Sequence, residues 1–237
     1  LKINCDLGES ENLELLEQQN QAIMPAIDLA NIACGGHCGN IATMSLCITH
    51  CLQHKVSIGA HPSYPDCKNF GRTSMANSLS PLALKKTLTQ QVQALLNCCQ
   101  EKQITLSHIK PHGALYHDCQ TNIKICQIIC EVCSFFNLPL ILSYPQNINK
   151  EIKQQLQNHQ IIIWNETFAD RKYQKDGSLC PRTTKKSVLT NQQDIGEQFY
   201  QIIKNKRVKV DNKWLNLISD TICFHSDNPA SITFLSK

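Results

Sequence analysis

No run of about 18 apolar residues occurs in this 237-residue chain, so nothing in it reads as a membrane-spanning helix. There is no G-x-x-x-x-G-K-[ST] loop for nucleotide phosphates, no dinucleotide fingerprint and no G-x-S-x-G nucleophile elbow. Those absences set aside the commonest nucleotide cradle and the usual serine hydrolase. Charge of one sign never gathers into long blocks: the 23 Lys and Arg are dispersed, and the formal net charge is only +4. The one mild cluster, KNKRVKV at 204–210, has no aromatics interleaved for base stacking. It reads as a solvated helix end and turn, so no nucleic-acid partner is expected. No Gly/Ser linker, composition break or fixed-period repeat divides the chain, and one domain over 1–237 is expected. The stretch Leu1-Lys2-Ile3-Asn4 becomes polar too quickly for a secretory signal, which points to the cytoplasm.

What the chain does have is cysteine, 14 of them. In a long chain with no export signal they are expected as reduced thiols rather than a disulfide scaffold. Cys126, Cys130 and Cys133 recur at helical spacing beside Ile125, Ile129, Val132 and Phe136, as small buried hydrophobes would. Cys47 and Cys51, four apart, are expected to face the same interior.

Short apolar runs alternate with helix-like segments. The runs lie at 1–9, 26–37, 55–66, 106–116, 138–145, 161–171 and 220–229, and the clearest helices at 41–53, 80–102 and 122–136. Ser80 followed by Pro81 is a helix start signal. Alternating strand and helix is the pattern of an α/β fold with a parallel sheet and crossover helices. Seven strands suffice to close or nearly close a barrel. In such folds the carboxyl ends of the strands converge on the functional face. Those ends carry Asp6 and Glu9, His37, His61, Lys110 and His112, Glu166 and Asp170, and His225 and Asp227.

The individual stretches each admit a plain reading. In NCDLGES, Asn4 and Asp6 share a strand face, with Gly8 ending it. In IKPHGALYH (109–117), Lys110 and His112 share one too. NIACGGHCGN (31–40) is either a tight turn or a place where glycine lets backbone N–H groups approach an anion beside His37. GAHPSYPD (59–66) repeats the strand-end histidine, and Arg72 after it is a surface charge or an anion clamp. His50 and His54 are spaced as in a metalloprotease helix, but HCLQH lacks the glutamate, so a solvated helix end is expected. Arg171 and Arg182 flank an Asp176-Gly177 turn in a loop that either covers a cleft or is an ordinary surface excursion.

Taken in order, NCDLGES, NIACGGHCG, GAHPSYPD with FGR, KPHGALY, E-x-F-A-D-R-x-Y at 166–173, LCPR and DTICFHSD resemble the LamB/YcsF family across essentially the whole chain. The chain departs from the family pattern at Gly36, Asn40, Ser63 and Ser226, where the family usually has phenylalanine, aspartate, glycine and glycine. The resemblance implies a seven-stranded β/α barrel like those of glycoside hydrolases and polysaccharide deacetylases. It also implies ATP-dependent opening of 5-oxo-L-proline to L-glutamate, a 5-oxoprolinase reaction performed with two further subunits, B and C, and with magnesium accompanying the ATP.

On that reading Asp6, His61, Lys110 and His112 are the expected catalytic residues. Asp6 would orient or deprotonate water and a histidine would move the proton, while Lys110 with Arg72 or Arg182 would neutralise phosphate or the substrate carboxylate. Asn4, Glu9, His37, Arg72, Tyr116, Glu166, Asp170, Arg171, Arg182, His225 and Asp227 are expected to bind substrate or phosphate. A second class is a metal-dependent amidohydrolase or deacetylase with Asp6, His37, His61 and His112 as ligands, against which Lys110 weighs by repelling a cation. No protein-bound metal is therefore expected. A third class is a non-catalytic binding module for the partner chains.

Overall fold

The computed structural model describes residues 1–143 and 149–237. Seven parallel strands close into a barrel in the order β1 (Lys2–Leu7), β2 (Leu29–Ala33), β3 (Ser57–His61), β4 (His108–Ile109), β5 (Leu140–Leu142), β6 (Ile163–Phe168) and β9 (Thr221–His225), with β9 pairing back to β1. These are the seven runs anticipated from the sequence; Tyr144 and Pro145 at the end of the 138–145 run lie outside the described residues. Helices α1 (Leu13–Ile23), α2 (Ile41–His54), α3 (Pro81–Gln100), α4 (Gly113–Thr121), α5 (Ile123–Phe136), α6 (Lys150–Asn158), α7 (Gln192–Asn205) and α8 (Pro229–Leu235) complete the α/β architecture. None of the described helices is long and apolar enough to cross a membrane.

Local chemistry sets the helix boundaries. Ser80 Oγ accepts from Ala83 N with Pro81 in the first turn, as its sequence signal predicts. Asn40 and Thr43 form a reciprocal capping box on α2, which gives the Asn40 departure its structural role. Helix α5 buries Cys126, Cys130 and Cys133 with Ile125 and Ile129. All fourteen cysteines are free thiols, Cys47 and Cys51 among the buried ones.

The apolar core lies between strands and helices, where Cys5, Leu7, Ile32, Ile58, Ile222 and Phe224 meet residues such as Leu16, Ile48, Leu88 and Ile129. The barrel interior is different. Alternation along the strands turns Asn4, Asp6, Asn31, His108, Lys110, Glu166 and Cys223 inward, and all are buried. Gly59 makes this possible, since a Cβ there would sit 2.1 Å from His108 Nε2.

Two segments differ from expectation. KNKRVKV supplies a helix end and then strand β7 (Arg207–Val210), paired antiparallel with β8 (Lys213–Asn216). Asp211 and Asn212 between them both take positive φ, the backbone of a tight hairpin turn. His50 is not solvated: it is buried and bonds Glu17 Oε2 at 2.9 Å, linking α2 to α1, while His54 is exposed as expected.

Candidate active site

Lys110 is the centre of the polar interior and is only 2% exposed. Its Nζ lies 2.8 Å from Asp6 Oδ1, 2.8 Å from Glu166 Oε1, 3.2 Å from Asn4 Oδ1 and 3.0 Å from Cys223 Sγ. An ammonium has three N–H groups, and Asp6, Asn4 and Cys223 accept all three, while Glu166 Oε1 is held by charge alone. Burial alone would lower its pKa, but Asp6, Cys223 and Glu166 hold it well above the ordinary value. Burial likewise opposes ionisation of Asp6, yet His61 and Lys110 keep that carboxyl well below its usual range. Lys110 thus reaches down from the mouth into the Asn4 layer, and a phosphate could contact it only by displacing one of these partners.

A second set of contacts pins that arrangement. Asn31 Nδ2 donates to Asn4 Oδ1 and Asp6 Oδ1, both at 2.8 Å, and Asn31 Oδ1 accepts from His108 Nε2 at 2.7 Å. His108 is kept neutral, its pKa lowered to about 3 by burial and by the Lys110 charge. Tyr116 from α4 donates to Glu166 Oε2 at 2.8 Å and accepts from Ser143 N.

Above Asp6 the strand ends bring together three histidines and a carboxylate. Glu9 Oε1 lies 3.0 Å from His37 Nε2, 3.1 Å from His112 Nδ1 and 3.8 Å from His61 Nε2. His61 Nε2 is also 3.4 Å from Asp6 Oδ2 and 3.0 Å from His112 Nδ1. The outer nitrogens are tied to backbone: His61 Nδ1–H donates to Lys110 O at 2.7 Å, and His112 Nε2–H to Phe70 O at 3.0 Å. Burial disfavours a charged His61, but Asp6 overrides it and raises the pKa. Burial wins at His37, lowering it to about 4. Glu9 stays well below its ordinary value because the hydrogen bonds and charges of His112 and His37 outweigh burial.

The opposite wall is an Asp–His pair. Asp170 Oδ1 accepts from His225 Nδ1–H at 2.8 Å, and its Oδ2 accepts from His225 N at 3.1 Å and Ser231 Oγ at 2.9 Å. Burial opposes its ionisation, but the His225 charge and these bonds lower its pKa. His225 Nε2 is left facing the site, 3.9 Å from Asp6 Oδ2. Ser226, one of the departures, donates to Asp6 O at 2.7 Å.

At the rim, Arg72 Nη2 and Arg182 Nη1 both donate to Asp227 Oδ2, at 2.8 and 2.9 Å. Two guanidiniums on one carboxylate leave positive charge beside the mouth. Arg171 is buried instead: it donates to Cys180 O at 2.7 Å and braces the loop, its pKa lowered to about 10 by burial and then by Arg182. The Gly35-Gly36 stretch serves packing. Gly35 N bonds Cys38 O at 2.7 Å, and a Cβ on Gly36 would meet Gln91 Oε1 at 2.3 Å, so Gln91 fills the space next to this departure.

Asp6, His61, His112, Lys110, Asn4, Glu9, His37, Glu166, Tyr116, Asp170 and His225 therefore meet around one barrel mouth, with Arg72, Arg182 and Asp227 on its edge. Asn31, His108, Cys223 and Ser143 complete the set, and the sequence patterns above do not single them out. Two of them carry a usable signal: His108 is two residues before Lys110 and Cys223 two before His225, so each shares its neighbour's inward face. Anionic carboxylates on one wall and an Asp-supported imidazole on the other suit proton transfer to and from a small polar substrate.

Comparison with known proteins agrees with this fold. The A component of 5-oxoprolinase from Vibrio cholerae is 37% identical over 238 residues, covering 100% of this chain and 95% of that protein. The Staphylococcus aureus protein of the same name is 34% identical, covering 99% of this chain and 92% of the relative. The crystal structure of a lactam utilization protein from Thermus thermophilus superposes with a TM-score of 0.87 at 26% identity, covering 100% of this chain and 94% of that one. The LamB/YcsF family model matches residues 1–237 from end to end, and the chain belongs to that family.

Proposed function

We infer that this chain is the A component of an ATP-dependent 5-oxoprolinase, acting in the cytoplasm with subunits B and C to convert 5-oxo-L-proline, ATP and two waters into L-glutamate, ADP and phosphate. The observation that carries the reading is the pairing of anionic Asp6 and Glu9 with the Asp170–His225 pair across one mouth, in a chain similar along its whole length to proteins of that name.

A lactam carbonyl is a poor electrophile. Phosphorylation of its oxygen makes the ring carbon open to attack. The chain has no phosphate loop, so partner subunits are assigned the handling of ATP and its magnesium. The residues of this chain then act on the activated ring. Asp6, beside Glu9, His61 and His112, accepts the proton of an attacking water whose oxygen bonds to the ring carbon. As the C–N bond breaks, its electron pair takes a proton from His225 Nε2, with Asp170 holding the ring and stabilising its charged form. The product of ring opening is γ-glutamyl phosphate, and the second water releases phosphate and L-glutamate. Arg72 and Arg182 offer the rim charge to the substrate carboxylate or the phosphoryl group. Lys110 fixes Asp6 as an anion from below.

The test is glutamate formation from 5-oxo-L-proline by the purified chain combined with its B and C partners. Glutamate should appear only when ATP and all three chains are present. Turnover without ATP, or none with the full set, overturns the reading.

A further inference from the structure

We propose that Glu9, His61 and His112 form a binding site for one divalent transition metal ion of the zinc type, with its remaining position open to the barrel mouth. The site lies within the machinery assigned above, and its catalytic consequence rests on that reading; the binding itself does not.

Three observations converge. First, His61 Nε2, His112 Nδ1 and Glu9 Oε1 are separated by 3.0, 3.1 and 3.8 Å, an average of about 3.3 Å. Tetrahedral zinc with N and O ligands at about 2.0–2.1 Å requires ligand–ligand edges of about 3.3–3.4 Å. Second, the outer nitrogens of both histidines donate to backbone carbonyls, Lys110 O and Phe70 O. In the neutral tautomers this leaves His61 Nε2 and His112 Nδ1 without hydrogens, their lone pairs confronting each other and the Glu9 carboxylate. A cation between them resolves that conflict, and such outer hydrogen bonds are how metal-binding imidazoles are oriented. Third, the two rings stand at 88° to each other, so both lone pairs can aim at one point without the rings colliding.

His37 has a different part. Its ring stacks on His112 at 3.6 Å with 2° between planes, so the two cannot direct in-plane lone pairs at the same ion. Its Nε2 instead donates to Glu9 Oε1 at 3.0 Å and orients the carboxylate. Charge also favours a dication. The Glu9 and Asp6 carboxylates both border the point where the ion would sit, and the Lys110 ammonium is shared between Asp6 and Glu166 rather than directed at Glu9. Lys110 is no obstacle, because its charge is held by Asp6 and Glu166 on the far side of Asp6. The alternative cluster of Asp6, Cys223 and His225 is unsuited, since the Lys110 ammonium is already 3.0 Å from Cys223 Sγ. A transition ion is favoured over magnesium or calcium by its two imidazole ligands. It would supply Lewis-acid polarisation and water activation at the base side of the pocket.

The test titrates the full-length chain, stripped with chelator, with zinc chloride by calorimetry, and with cobalt(II) chloride by visible absorption. Binding of one ion per chain, with the intense d–d bands of a tetrahedral cobalt centre, is expected. Glu9→Gln and His112→Gln should each weaken zinc by more than about 100-fold, and His37→Phe by about 10–100-fold, with circular dichroism unchanged. His54→Gln, on the exposed end of α2, should bind as the wild type does. Absence of stoichiometric binding, or equal affinity in Glu9→Gln, overturns the site and leaves the histidines sharing a proton. Metal binding without lactam turnover beside B and C keeps the site and removes the function. Chelator-resistant turnover in a chain that binds no metal does the reverse.

Discussion

Replacing Lys110 with methionine keeps the length of the side chain and removes its charge. In the wild type the ammonium lies 2.8 Å from both Asp6 Oδ1 and Glu166 Oε1. At an effective dielectric of about 20, each contact is worth roughly 6 kcal/mol of Coulomb attraction, offset by several kcal/mol of desolvation per ion. Methionine leaves both carboxylates buried without the cation, and breaking a buried pair in this way costs about 3–5 kcal/mol. For a chain of this size that is a fall of roughly 6–20 °C in Tm. The loss is pH-dependent with a definite sign. Without the ammonium, Asp6 keeps the His61 charge but loses the Lys110 charge, so its folded-state pKa is held less far below the unfolded value of about 4. A depressed folded pKa contributes stability that is present above the unfolded value and is lost as pH falls through the folded one. The gap between wild type and variant is therefore full from about pH 5 upward and narrows as pH falls toward about 3. Urea unfolding followed by circular dichroism across that range measures it, and Lys110→Met/Glu166→Gln should recover part of the loss through a double-mutant cycle. A gap below about 1 kcal/mol that does not change with pH would refute the account of Lys110 as a saturated, buried counter-ion.

Two further outcomes follow from the same geometry. His225→Gln and Asp170→Asn should each lower the kcat of glutamate formation by about 10²–10⁴-fold with little change in KM, as loss of an acid–base group does. Gly113→Ala should destabilise the fold by at least about 1–3 kcal/mol in a thermal melt, because its φ of +56° is unfavourable for alanine and a Cβ would lie 2.5 Å from Gly71 O.

Much of the site is legible in the sequence because a parallel barrel sends its strand ends to one place. Lys110 and His112, read as two residues sharing a face, do enter the same mouth. Sequence spacing cannot separate their roles, since one reaches down to Asn4 and the other sideways to Glu9, and that depends on which carboxylates the neighbouring strands bring. The burial of His50 is hidden because HCLQH shows only that two histidines share a helix face, whereas its partner Glu17 belongs to a different helix. The β7–β8 hairpin is hidden for another reason: Arg207 and Lys209 alternate with Val208 and Val210 in a true strand pattern, and Asp211-Asn212 is a turn signal that the run of positive charge obscures. Gly36 looks like part of an anion cradle, and only three-dimensional proximity to Gln91 shows that glycine is there to make room.

The closure of the barrel by pairing β1 with β9 also sets an order of events during synthesis. Asn4 donates to Thr221, Asp6 receives a bond from Ser226, and Lys110 requires Cys223. A ribosome emits the first of these residues more than two hundred positions before the last. Until β9 emerges, β1 and β6 present open edges to their surroundings, and the charged interior has one wall absent. The Asp6 side of the pocket can assemble from residues 4–166, but its opposite wall, His225 on Asp170, cannot exist before the last strand docks.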